Sequence, residues 1–183
     1  MNPTLEQQLI QHIKADAWML AILATVRDVA LQDCWIGAGF VRNKIWDVLH
    51  GFTRTPLNDI DVTYFDRSNT TTAKDQEIEA RLKALHPTLN WSVKNQARMH
   101  LRNGQQPYAS CEEAISHWPE TATAIAVRLT TLDELAYCAP YGLEDLFLLI
   151  VKPTPNFDVN QYRDRIHRKS WQRRWHQLTM QAE

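Results

Sequence analysis

The sequence predicts an α+β fold: a small mixed sheet of four or five strands flanked by helices. Three observations carry that prediction. Short apolar or alternating runs recur between longer stretches of helical periodicity, which places strands and helices in alternation. The 183 residues suffice for one domain with a substantial core. Five Gly and eight Pro leave little room for flexible linkers.

The order of elements follows from local chemistry. Thr4 and Gln7 form a capping box ahead of Leu5, Leu9 and Ile13, and Asp16 is placed to cap a second helix carrying Met19, Leu20, Leu23, Val26 and Ala30. Cys34-Trp35-Ile36 is a short apolar run entering the small-residue turn Gly37-Ala38-Gly39, after which Phe40 to His50 resumes helical spacing up to Gly51. In Asp59 to Phe65, Ile60, Val62 and Tyr64 alternate with Asp59, Asp61 and Thr63, the period of a strand. Lys74 to Leu85 reads as an amphipathic helix, Asn90 to Gln96 as a third strand, Cys111 to His117 as a short helix and Ala122 to Leu129 as a fourth strand. Leu143 to Val151 reads as another helix, and Val159 to Met180 as a helical tail. The expected organisation is a single domain over 1–183, with N-terminal helices in 1–30, a core in 31–151 and a basic helical tail in 152–183.

Charge is distributed unevenly. The formal net charge is −1, yet from Lys152 onward seven basic residues face three acidic ones, so the tail carries +4 and the rest −5. Such a tail meets phosphate or pairs with an acidic body. Three separated cysteines fit neither a disulfide framework nor a zinc site. No window has the long apolar run of a membrane span, and the N-terminus lacks signal-peptide character, so a cytoplasmic protein without membrane partners is expected. Trp171 and Trp175, four apart, are expected to dock on the body rather than to stack on bases.

One constellation suggests chemistry. Side chains two apart on a strand share a face, so Asp59 and Asp61 bring two carboxylates together among apolar neighbours. Their repulsion is relieved by a divalent cation with hard oxygen preference, Mg²⁺ or Mn²⁺. The competing reading is an edge strand with two solubilising charges. Upstream, Gly37, Ala38 and Gly39 lie after a strand and before a helix, where backbone N–H groups and the helix dipole favour an anion. Arg42 and Asn43 in the first turn are candidate phosphate or sugar contacts.

Together, Cys34 to Asn43, Asp59 to Asp66, Trp91 to His100, Glu113 to Ala122 and Tyr141 to Phe147 resemble a family of small bacterial nucleotidyltransferases within the polymerase-beta-like superfamily. The resemblance runs from about residue 16 to 178. It implies a palm-like core, a phosphate-binding turn at Gly37, Ala38 and Gly39, and a metal pair at Asp59 and Asp61. It also implies a nucleoside triphosphate as donor and an unidentified acceptor (small molecule, protein or RNA). The superfamily usually carries a third carboxylate on the next strand. Asn90 to Gln96 has none, leaving Lys94, Asn95, Arg98 and His100 as accessory candidates, with Asp66 beside them. A nucleotide-binding or interaction protein without turnover is the alternative function, and an RNA-binding module led by the tail a third.

Overall fold

The computed structural model describes residues 2–181. Two helices open it, α1 (Leu5–Lys14) and α2 (Ala17–Asp28). Thr4 and Gln7 form the expected reciprocal capping box, and Asp16 accepts the Met19 N–H. Strand β1 (Trp35–Gly37) leads directly into α3 (Gly39–Leu49), then β2 (Ile60–Tyr64), α4 (Thr72–Leu85) and β3 (Trp91–Asn95). A 3₁₀ turn at Gln96–Arg98 joins α5 (Met99–Asn103), followed by α6 (Cys111–Ser116), β4 (Ala126–Leu129) and β5 (Leu135–Cys138). The chain finishes through α7 (Glu144–Phe147), β6 (Ile150–Val151), α8 (Val159–Lys169), a 3₁₀ turn at Trp171–Arg173 and β7 (Thr179–Met180).

Five strands form one mixed sheet in the order β3-β2-β1-β4-β5. Only β2 and β3 run parallel within it, joined by the crossover helix α4. The pleat sorts β2 by face. Ile60, Val62 and Tyr64 enter a core with Ile36, Val93, Val127 and the buried residues of α1 to α4. On the opposite face Trp35, Ala126 and Cys138 pack against Cys111, Ala114 and Ile115 of α6. Asp61 and Thr63 lie on that second face and line a cleft there.

Three sequence expectations need correction. Residues 143–151 are not one helix: α7 is a single turn, Leu149 takes φ 58°, and β6 follows. An unbroken apolar run fits a helix and a buried strand equally, so periodicity could not place the break. The expected fourth strand starts only at Ala126, because the residues before it form a turn, and it is followed by an antiparallel partner, β5, beyond those expected. The tail is not a continuous helix either. Ser170 adopts the left-handed region at φ 49° and ends α8, so the tail doubles back and β7 pairs with β6. Ala182 and Glu183 lie outside the described residues.

The doubled-back tail docks firmly. Trp46 of α3 meets Trp171 and Trp175 edge to face at 5.6 and 5.2 Å, and such pairs contribute about 0.5–1.5 kcal/mol each beyond their buried area. The Trp175 indole N–H donates to Asp47 Oδ1 at 2.8 Å, while Asp47 Oδ2 accepts from the Thr55 N–H at 2.8 Å. Docking is therefore what Trp171 and Trp175 do. Cys34, Cys111 and Cys138 are free thiols. No single helix among the described residues is long and apolar enough to cross a membrane.

Candidate functional site

Two clefts meet at the exposed end of β2. The first, of about 460 Å³, lies between the start of α3 and the doubled-back tail; Ala38, Gly39, Asp59, Asp61, Arg165 and Lys169 are among its lining. The second, of about 590 Å³, lies between the sheet face and α5 and α8. Ala38, Asp61 and Arg165 line both.

The turn into α3 is built for an anion. Ala38 is the N-cap residue, its own side chain provides no capping bond, and the helix dipole opens into the first cleft. Ala38 sits at φ 52°, ψ −122°, a region that a Cβ disfavours. Such a residue stores about 1–3 kcal/mol of strain. Ala38→Gly should therefore stabilise the chain by about 1 kcal/mol, against the usual loss for Ala→Gly next to a helix. Chemical denaturation measures this, and a destabilised variant would refute the strain.

The two glycines of the turn differ. A Cβ on Gly37 would lie 2.7 Å from the Trp118 ring and 2.9 Å from the Ile125 carbonyl oxygen, so Gly37 is required by packing. A Cβ on Gly39 would meet nothing closer than 3.7 Å. Its bareness leaves space over the helix end, as a cradle for phosphate requires.

Asp59 immediately precedes β2 and Asp61 lies within it; both face the first cleft. Burial, with Asp59 beside it, lifts the Asp61 carboxyl to about 6 from 3.8, although a hydrogen bond from Ser92 works the other way. A carboxylate pair that resists ionising together fits a hard divalent cation, with triphosphate oxygens and water completing its shell. The ligand set is sparse: among the described residues no cluster of three metal-ligating side chains forms. The parallel register places Ser92 opposite Asp61, so a hydroxyl occupies the β3 position beside it.

Facing the carboxylates is a wall of cations, in which the expected Arg42 is joined by residues of the tail. Arg42 is 6% exposed and lies between the rings of Trp46 and Trp171, 4.9 and 4.3 Å from their centroids. It donates to Thr123 Oγ1 at 2.7 Å and Asn43 Oδ1 at 3.0 Å. Burial draws its guanidinium down to about 10, opposed by Glu120 and Asp61, so it remains charged at neutral pH. Arg165, Lys169, Arg173 and Arg174 of the tail line the same cleft. Burial and the neighbouring Arg165 and Arg42 lower the Lys169 ammonium pKa, so this wall is crowded with positive charge. Behind it stands Glu120, completely buried, taking Arg165 Nε at 2.5 Å.

The accessory candidates of β3 separate. Asn95 is completely buried and its side chain ties the backbone of Asp66, Asn69 and Ala97, so it is unavailable as a metal ligand. Arg98 pairs with buried Asp75, and His100 packs beside Tyr108; neither lines either cleft. Asp66 caps its own turn through Ser68. Lys94 lines the second cleft and is paired with Glu79 at 3.2 Å.

Comparison with known proteins identifies the family and the fold. A family model described as nucleotidyltransferase matches residues 24–180. A solved structure described as revealing a CCA-adding enzyme head domain superimposes with a TM-score of 0.86 at 33% identity, covering 98% of both chains. A CCA-adding enzyme in complex with CTP matches at TM-score 0.58 and 14% identity, over 99% of this chain and 44% of that one. A tRNA nucleotidyltransferase bound to a primer tRNA and an incoming ATP analogue matches at 0.55 and 18%, over 87% and 46%. The last two show likeness of fold alone, and this chain spans under half of each. No curated protein matches the sequence.

Proposed function

The chain belongs to the nucleotidyltransferase family, and from that premise we propose that it transfers a nucleoside monophosphate from a nucleoside triphosphate to an acceptor hydroxyl with the help of Mg²⁺ or Mn²⁺. One observation carries the reading: Asp59 and Asp61 share a cleft with the uncapped start of α3 and with Arg42, Arg165 and Lys169. Opposite charges thus converge where a triphosphate would need both. A cation held by Asp59 and Asp61 would neutralise charge on the reacting phosphate and align the attacking and leaving oxygens.

The protein's own groups divide the remaining work. The N–H groups at the start of α3 receive phosphate oxygens, and bare Gly39 lets them approach. Arg42, rigid between two indoles, presents a fixed positive field at little entropic cost. Arg165 and Lys169 close the site from the tail. The acceptor oxygen bonds to the α-phosphorus as the bridging bond to the β-phosphate breaks. Pyrophosphate leaves with the electron pair, and the hydroxyl proton passes to water.

A binding-only reading has one observation in its favour: β3 carries no carboxylate and offers the hydroxyl of Ser92 opposite Asp61. Calorimetric titration of ATP, GTP, CTP and UTP with Mg²⁺ tests both. Wild type should bind at least one triphosphate, and the Asp59→Ala/Asp61→Ala variant should lose that binding by about two orders of magnitude. Binding without pyrophosphate release across a panel of acceptors would favour the binding-only reading; no binding at all would refute both.

A further inference from the structure

The second cleft has no role in holding a nucleotide, yet it opens onto the same Asp61. We propose that it is the acceptor site, and that it takes a small polyhydroxylated molecule carrying one anionic group, of the sugar-phosphate class. The proposal rests on the nucleotide reading of the first cleft.

Position comes first. Because Ala38, Asp61 and Arg165 line both clefts, a hydroxyl bound in the second reaches the carboxylate that faces a nucleotide in the first. The volume of about 590 Å³ lies in the range of small-molecule sites.

Its lining then selects the ligand. Asn103, Gln105 and Gln161 present carboxamides, which donate and accept and so match hydroxyl groups in either sense. Trp118 forms an apolar wall, wedged against Gly37 and therefore fixed. The His117 Nδ1 is buried without a hydrogen-bond partner in the same lining.

Charge sets the limit. Of the cations, Lys94 is engaged by Glu79 and Arg165 by Glu120. Arg102 is exposed, lines the cleft and has no ion-pair partner among the described residues. One uncommitted guanidinium suits one phosphate. A nucleic-acid strand calls for a positive track along successive phosphates, and Asp158 on the rim opposes one.

NMR of isotopically labelled protein with Mg²⁺ and α,β-methylene-ATP tests this. The analogue alone should shift amide resonances of Gly39 to Asn43. Silence there would remove the premise, and the proposal with it. D-ribose 5-phosphate, added next, should give saturable shifts at Arg102, Asn103 and Gln161. Its affinity should fall about tenfold in Arg102→Glu, and D-ribose should bind wild type as weakly. Unchanged analogue shifts in Arg102→Glu verify that the variant is folded. If a short single-stranded RNA moves these resonances and the sugar phosphate does not, the acceptor is a nucleic acid and the proposal is overturned. Analogue shifts at α3 with no ligand response in the second cleft overturn it as well, leaving the nucleotide reading intact.

Discussion

Asp61→Asn is expected to abolish nucleotidyl transfer while raising the melting temperature of the metal-free protein. The two effects have one cause. Burial and Asp59 raise the Asp61 carboxyl to about 6 from 3.8, so the folded chain binds this proton more tightly than the unfolded one does. That contribution to stability is full below 3.8 and is lost as pH rises through about 6. At neutral pH the wild type carries a charge its surroundings disfavour, by at most roughly 3 kcal/mol at about 1.4 kcal/mol per pH unit. Asparagine removes the charge and keeps a group able to bond to Ser92. For a chain of this size 1 kcal/mol corresponds to about 2–4 °C, so the rise is at most about 6–12 °C. The gap between variant and wild type should widen from pH 3.8 to about 6 and stay level above it. With Mg²⁺ and nucleotide present the order should reverse, because only the wild type gains stability from binding. Calorimetric melting across pH, with and without metal, decides the matter. A variant less stable than wild type in the metal-free state would show that the carboxylate is structural.

Glu120→Ala is expected to cost about 3–5 kcal/mol, as removal of one member of a buried pair does. Glu120 is completely buried and its carboxylate takes both Arg165 Nε and Nη2, at 2.5 and 3.4 Å. It also attracts the buried Arg42. Alanine would leave the buried Arg42 and the half-buried Arg165, which already repel each other, without this countercharge. Since domains are stable by only about 5–15 kcal/mol, the loss takes much of the total. Glu120→Gln, which keeps an oxygen for Arg165, should lose less stability yet weaken triphosphate binding, because Arg165 then lacks its fixed countercharge. Urea unfolding combined with nucleotide titration separates the two effects. A loss under about 1 kcal/mol for Glu120→Ala would mean that water, not Glu120, balances the arginines.

The legible parts of this molecule were those fixed by neighbours in sequence. Thr4 with Gln7, and Asp16 with Met19, are bonds across three residues, and both form as read. The two-residue spacing of Asp59 and Asp61 reads as one shared face, and the two side chains do line one cleft, although Asp59 lies just ahead of β2. Glu120, Arg165 and Lys169 were missed because their roles depend on contacts across 45 or more residues, as in the bond from Arg165 to Glu120. No local pattern signals such a pair. Asn95 misled for a related reason: a polar residue on the third strand reads the same whether it meets solvent, a ligand or a buried backbone loop. The break at Ser170 was hidden because serine is an unusual host for the left-handed region, where glycine would have announced it.

The returning tail has a consequence for how the site is acquired. Residues 35–138 hold every strand of the main sheet and both carboxylates. The wall that faces those carboxylates is begun by Arg42 and completed by residues 165–175, which reach it through α8 and the reversal at Ser170. Domains generally fold as units, and Tyr162, Trp171, Trp175 and Leu178 of the tail share one core with Ile36, Val62 and Val127 of the sheet. The two indoles seated on Trp46 therefore tie the closing of the cleft to the completion of the core, so the carboxylates and the cations of the tail are brought face to face in the same step that seals the fold.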